Sequence, residues 1–228
     1  MESTRIRELL APFLKTELSP AQIESLASYM DLLLRWNQRI NLTSVHAPEE
    51  IVTRHFGESL FLAQHLFPSP ESASAASKNA VLADKSIKTS TSSLRVMDVG
   101  SGAGFPGLPI KIWASQVQLT LIEANHKKAT FLREAVRTLK LTDVEVFAGR
   151  AEDFPGRADV ICMRAVERCV SILPEVANLV AAGGQLALAV GESQVVEVRN
   201  LLPQFNWFPT ATVPISKSRV LLIGSGIK

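Results

Sequence analysis

LRVMDVGSGAGFPGLP, Leu94 to Pro109, is the stretch from which the rest of the chain can be read. Leu94, Val96, Met97 and Val99 form a short apolar run that reads as a buried strand, and the glycines at 100, 102, 104 and 107 break it into a tight turn. A helix is expected next, because Pro106 suits a first helical turn and Leu108, Ile110, Ile112 and Trp113 continue at helical spacing. Strand, glycine loop and helix open a nucleotide-cofactor fold, in which glycine lets the backbone approach a ligand closely and take positive φ.

The ligand decides the function. GAGFPG, Gly102 to Gly107, fits the dinucleotide pattern G-x-G-x-x-G, so a nicotinamide or flavin oxidoreductase is one reading. Against it stands Asp98, two positions before the first glycine, which would aim a negative charge at a pyrophosphate. S-adenosylmethionine carries a cationic sulfonium and an ammonium and no phosphate, so a carboxylate at the strand tip suits it. The spacing D-x-G-x-G-x-G resembles motif I of the class I methyltransferases. A glycine turn that binds nothing is disfavoured, because so many glycines weaken a strand–helix junction.

Length and composition bound the answer. A chain of 228 residues with 46% apolar content can bury a substantial core, and one α/β domain with an extension is the natural count. A net charge of +2 permits a nucleic-acid partner without demanding one. Cys162 and Cys169 have no disulfide-framework or metal-ligand spacing, so a reducing cytoplasm is the expectation and no metal is expected. No apolar run reaches membrane-spanning length and MESTRIRELL lacks a signal-peptide core, so no membrane partner is expected.

Residues 4 to 66 read as helices. Ser19-Pro20 starts one, with Ile23, Leu26, Ala27, Met30, Leu33 and Leu34 on a single face as far as Trp36, and WNQRINLTS ends it. A second begins near Pro48 and carries Arg54, His55 and Ser59. For His55 two readings stand: a hydrogen-bonded histidine at a seam, or, with Arg54, a cationic edge beside the cofactor mouth. Residues 68 to 93 are small and polar, with no aromatics, and read as a mobile insertion with at most a short strand or turn at Ala80 to Ala83.

Beyond the glycine loop, Val117 to Ile122 reads as a second strand closing on Glu123, placed where a βαβ unit puts a carboxylate on ribose hydroxyls. The helix from His126 carries Lys127, Lys128, Arg133 and Arg137, either a solvated face or a phosphate-contacting one. Val144 to Phe147 is a third strand, followed by GRAEDFPG with Ala151 and Glu152; Ala158 to Met163 is a fourth, ending on Arg164. Arginine offers only donors and takes no proton, so Arg164 points to an acceptor atom whose lone pair is already free, as guanine N7 is. A helix from Val170 to Val180, strands at Gln185 to Val190, Trp207 to Val213 and Arg219 to Gly224, and a helix from Ser193 to Leu202 complete a seven-stranded sheet whose last two strands form a hairpin.

WNQRINLTS, RHFGES, DVGSGAGFPGLP, RAEDFP and MRAV, in this order and spacing, resemble the bacterial 16S ribosomal RNA guanine-N7 methyltransferases, the small subunit methyltransferase G or glucose-inhibited division protein B family. The resemblance, which covers most of the chain outside residues 67 to 93, implies a class I, Rossmann-like fold; the chain then divides into a helical cap over residues 1–67, an insertion over 68–93 that is longer than usual, and a methyltransferase domain over 94–228. It also implies S-adenosylmethionine as donor and a guanine in the decoding-region loop of 16S rRNA as acceptor, met in the small ribosomal subunit or an assembly precursor. Asp98, Gly100, Gly102 and Phe105 would line the methionine end, Glu123, Ala151 and Glu152 would hold the adenosine, Arg164 would lie against both cofactor and target, and Arg54 and His55 would face the target. No catalytic acid, base or metal is implied. The lysine-glycine pair that the family often carries after strand five is here Ala189, Val190, Gly191, Glu192. A methyltransferase for a small molecule or a protein would share every cofactor residue.

Overall fold

A computed structural model describes residues 1–68, 93–164 and 170–226. Helix α1 (Ser3–Leu10) leads through a 3₁₀ turn to α2 (Pro20–Asn37). The start of α2 is set by a capping box: Ser19 Oγ accepts from Gln22 N at 3.2 Å and Gln22 Oε1 accepts from Ser19 N at 2.9 Å. Next come α3 (Pro48–Glu50), a π-helical stretch (Ile51–Gly57) and α4 (Glu58–Leu66). The expected second helix is therefore present but widened in its middle, a deformation that recurs at functional sites.

The remainder is a sheet with flanking helices. Strand β1 (Arg95–Val99) is followed by α5 (Gly107–Trp113), β2 (Gln118–Ile122), α6 (His126–Thr138), β3 (Val144–Phe147) and β4 (Ala158–Arg164). Then come α7 (Leu173–Asn178), β5 (Val180–Gly191), α8 (Val195–Leu201), β6 (Phe205–Trp207), β7 (Ala211–Thr212) and β8 (Arg219–Gly226). The sheet order is β3-β2-β1-β4-β5-β8-β6, with β7 also on β8; β1 to β5 run parallel and β8 runs antiparallel to β5.

Three expectations need correction here. The strand expected over Gln185 to Val190 runs from Val180 to Gly191, taking in the end of the helix expected as far as Val180. The single strand expected over Trp207 to Val213 is two short pieces, because Phe208-Pro209-Thr210 interrupts it and proline has no amide for the ladder. The helix expected from Val170 begins at Leu173, with Pro174 in its first turn, where its missing amide costs nothing. The insertion expected over 68–93, with its turn at Ala80 to Ala83, and Cys169 lie, but for the insertion's ends, outside the described residues.

One continuous core joins the helical cap to one face of the sheet. It runs from Ile6, Leu26, Tyr29 and Leu33 through Phe56 and Leu60 to Val96, Leu108, Leu121 and Phe131. Met97, Val99, Ile161, Leu188 and Leu222 lie in a second cluster, against α7 and α8. Helix α5 lies between cap and sheet and is buried along almost its whole length, Lys111 included. The Lys111 ammonium donates to the carbonyls of Ser115 and Val117, each at 2.6 Å, and burial lowers its pKa.

Candidate active site

The sheet order reverses between β1 and β4, and in open α/β sheets the crevice at the carboxyl ends of such strands takes the ligand. Three tips meet there: the glycine loop after β1, Glu123 after β2 and Arg164 at the end of β4. The loop's glycines divide into two kinds. Gly100, at φ +71°, has nothing within 4 Å of where a Cβ would stand, so its bareness leaves an open cradle. Gly104, at φ +90°, is pressed on instead: a Cβ there would lie 2.7 Å from the Tyr29 hydroxyl and 2.5 Å from Leu108.

Asp98 and Glu123 shape this loop. Asp98 pairs in register with Leu121 and Cys162, is wholly buried, and accepts from Gly107 N at 2.9 Å through Oδ2. Its Oδ1 is buried without a hydrogen-bond partner, and burial pushes its pKa up to about 7. The peptide amide of Gly107 draws Oδ2 toward the start of α5, a direction that the place of Asp98 at the strand tip does not announce, and leaves Oδ1 as the one oxygen available to a ligand. Glu123 is buried too; Oε2 accepts from Gly102 N and Oε1 from Asn125 N, each at 2.8 Å. Each oxygen keeps a further lone pair for an outside donor. Ala151 and Glu152 lie in the 3₁₀ turn after β3, Ala151 half-buried and Glu152 exposed beside Arg150 at 3.3 Å.

Phe105 and Arg164 point elsewhere than expected. Phe105 turns away from the crevice into the cap, its ring 4.7 Å from that of His55 and 5.4 Å from that of Tyr29. Arg164 spends its donors on the cap. Nη2 donates to Arg54 O at 2.9 Å and to Glu58 Oε2 at 3.2 Å, and Nη1 to His55 O and Ser59 Oγ, both at 3.3 Å. The guanidinium also lies 5.8 Å from the centre of the Phe105 ring. Glu58, 6% exposed in its side chain, receives Arg219 Nη1 at 3.0 Å as well, so two cations share one buried carboxylate. Arg164 is therefore a clasp between strand tip and cap, with both of its Nη groups taken up.

His55 belongs to the same seam. Its Nε2 lies 2.7 Å from Thr43 Oγ1 and its Nδ1 3.5 Å from Arg164 Nη2. Burial, and next the charge of Arg164, push the His55 pKa down to about 3 and keep the ring neutral. Thr43 is held in turn by Asn37, whose Oδ1 accepts from Leu42 N at 2.9 Å and Thr43 N at 3.0 Å. Arg54 is exposed, 3.7 Å from Glu50. Sequence reasoning missed Tyr29, Thr43, Glu58 and Arg219. Thr43 and Glu58 lie inside the motifs WNQRINLTS and RHFGES, and Tyr29 stands out as the aromatic among the apolar positions of α2; its hydroxyl donates to Ala103 O of the glycine loop.

The family model described as rRNA small subunit methyltransferase G matches residues 22–72 and 79–208, across both the cap and the sheet. The chain belongs to that family. It is a methyltransferase of a family that uses S-adenosylmethionine, which removes the nicotinamide and flavin reading of the glycine loop. It is 34% identical over 191 residues to the ribosomal RNA small subunit methyltransferase G of Desulfitobacterium hafniense, covering 81% of this chain and 70% of the relative. Over 191 residues it is 36% identical to that of Roseiflexus castenholzii, covering 80% and 72%. Among solved structures the fold is similar to a SAM-dependent methyltransferase from Aquifex aeolicus, with TM-score 0.51 and 20% identity over 59% of this chain and 82% of the other. The ribosomal protein L11 methylase of Lactobacillus delbrueckii gives TM-score 0.54 at 15% identity, over 75% and 80%. Among the described residues no helix of this methyltransferase is long and apolar enough to cross a membrane, and no cluster of three or more His, Cys, Asp or Glu side chains has the arrangement of a metal site.

Two features of the loop fit the donor. The orphaned Asp98 Oδ1 is a buried acceptor suited to a cationic group, and the space over Gly100 is one that any side chain would fill.

Proposed function

We propose that this methyltransferase modifies N7 of a guanine in the decoding-region loop of 16S ribosomal RNA, in the small ribosomal subunit or an assembly precursor. The observation that carries the reading is the family match, which runs through the cap as well as the sheet and so covers more than the cofactor half. When bound, S-adenosylmethionine would supply the methyl group from its sulfonium to the acceptor's lone pair.

Guanine N7 has that lone pair free and needs no base to unmask it. The site chemistry agrees, since His55 is held neutral and occupied and Arg164 takes no proton. The chain's task is then positioning, for which effective molarities of roughly 10⁵ to 10⁸ M set the scale. In this reading Asp98 Oδ1 accepts from the ammonium of the methionine end, and the backbone of Gly100 and Gly102 lies along it. Glu123 adds the ribose hydroxyls to its two amide partners, and Ala151 and Glu152 border the adenine. Arg164, with Glu58 and Arg219, holds the cap over the strand tips, while exposed Arg54 faces phosphate.

The test is transfer of a tritiated methyl group to small-subunit RNA from cells lacking the modification. Label recovered as 7-methylguanosine, and absent when the RNA comes from modifying cells, is the expected result. Label on a protein or a small molecule, with none on RNA, would overturn the assignment.

A further inference from the structure

Ile215 stands out among the described residues. It is the most exposed of their large apolar side chains, at 69%, and its backbone is left-handed at φ +62°. A β-branched residue rarely adopts that conformation, which glycine or asparagine takes readily. The strain is locked in. Val213 N donates to Arg219 O at 3.0 Å, Ser216 N to Val213 O at 3.2 Å, Arg219 N to Ser216 Oγ at 3.0 Å, and Glu192 N to Ser218 O at 2.8 Å. The turn is thus a fixed hairpin end that holds an apolar side chain out into water, an outlier of the kind from which function is reasonably inferred.

Its location supplies the second observation. Arg219, which closes the turn, pairs in register with Gly191 at the carboxyl end of β5 and reaches Glu58, the carboxylate that clasps Arg164. The turn therefore rims the crevice that holds the glycine loop. Val196, 67% exposed, lies five residues past Gly191 on α8. Exposed Lys217 is two positions from Ile215, and Arg54 is exposed on the cap; exposed Glu192 is the acidic neighbour. An apolar tip flanked by a cation suits nucleic acid, whose bases offer apolar faces and whose backbone is anionic.

We propose that Ile215 is a wedge that packs against an unstacked base next to the target guanine, with Lys217 on the adjoining phosphate. This rests on the RNA reading above. Bases of an RNA loop can be splayed out of their stack, and a guanine presented singly to the cleft needs the gap beside it kept open. Apolar side chains inserted between bases hold such a gap open.

The full chain is compared with Ile215→Asn, Ile215→Met and Lys217→Ala for methylation of unmodified small subunits, thermal midpoint, sedimentation and affinity for S-adenosylhomocysteine. Asparagine suits the left-handed turn, so Ile215→Asn is expected to raise the thermal midpoint while lowering kcat/KM for the subunit by about tenfold, the scale of one lost base contact. Cofactor affinity stays unchanged, Ile215→Met recovers most of the rate, and Lys217→Ala loses rate less steeply in high salt. A wild-type rate for Ile215→Asn overturns the wedge. So does parallel loss of cofactor affinity, or a wild-type dimer that Ile215→Asn dissolves, which would make the patch a contact between copies. A wild-type chain that labels no RNA refutes the RNA reading itself, a result separate from any difference between the variants.

Discussion

Replacing Glu58 by alanine removes the anion that Arg164 and Arg219 share. The Arg164 and Glu58 side chains are 11% and 6% exposed and meet at 3.2 Å, so this pair is out of water, whereas Arg219, at 31%, is partly screened. Breaking a buried pair by deleting one partner costs about 3–5 kcal/mol, because the other charge stays buried. Arg164 keeps acceptors on Arg54, His55 and Ser59, which points to the lower end, about 3 kcal/mol. In a chain of this size each kcal/mol moves the thermal midpoint by roughly 2–4 °C, so a drop of about 6–12 °C is expected. Methylation falls further than stability explains, since a catalytic cleft misplaced by about 1 Å loses on the order of 10²-fold in rate. Urea unfolding followed by tryptophan fluorescence, at low salt and in 1 M salt, measures the stability change. A double-mutant cycle with Arg164→Met then isolates the coupling. A loss under about 1 kcal/mol, or one that vanishes in high salt, is the behaviour of a surface pair and refutes the clasp.

Four further outcomes follow from the same geometry. Gly100→Ala meets only the cost of its positive φ, on the order of 1–2 kcal/mol, yet is expected to weaken S-adenosylmethionine binding at least tenfold by calorimetry, because its methyl enters the open cradle. Gly104→Ala, by contrast, collides with Tyr29 and Leu108 and loses stability by about 3 kcal/mol or more, visible as poor soluble yield. Asp98 holds a proton in the folded chain up to about pH 7 that the unfolded chain releases near 3.8, so its contribution makes stability fall as pH rises through that window; Asp98→Asn abolishes this fall in a pH series of urea midpoints. His55 works oppositely. Its folded pKa of about 3 means that only the unfolded chain takes a proton below 6.5, so acid destabilises the fold by up to about 1.4 kcal/mol per pH unit, and His55→Gln flattens that limb.

The sequence showed where the site would be better than it showed which way its side chains face. The strand and glycine bend at Val96 to Gly104 were legible because their signals are local: a buried apolar run and a backbone needing positive φ. Glu123 was legible for the same reason, at the close of a strand that pairs with β1 in register. The direction of Asp98 was not, because it depends on the amide of Gly107, nine residues on, turning back toward it. Arg164 was read as a free donor because its partners lie 105 to 110 residues earlier, on a cap whose docking no period in the sequence announces. The π-helical widening at Ile51 to Gly57, which presents the carbonyls of Arg54 and His55, has no compositional mark at all. Pro209, however, could have divided the sixth strand from the start.

Helix α5 is gripped by the cap at both ends. Tyr29 holds the loop that leads into it at Ala103, Gln22 Nε2 donates to Ile112 O at 3.0 Å at its far end, and Trp113 Nε1 reaches Phe67 O at 2.8 Å. The glycine bend is consequently not a portable module. A chimera that grafts the sheet half of one relative onto the leading helices of another has to transplant Gln22, Tyr29 and Phe67 together, or the bend arrives without the frame that sets its shape.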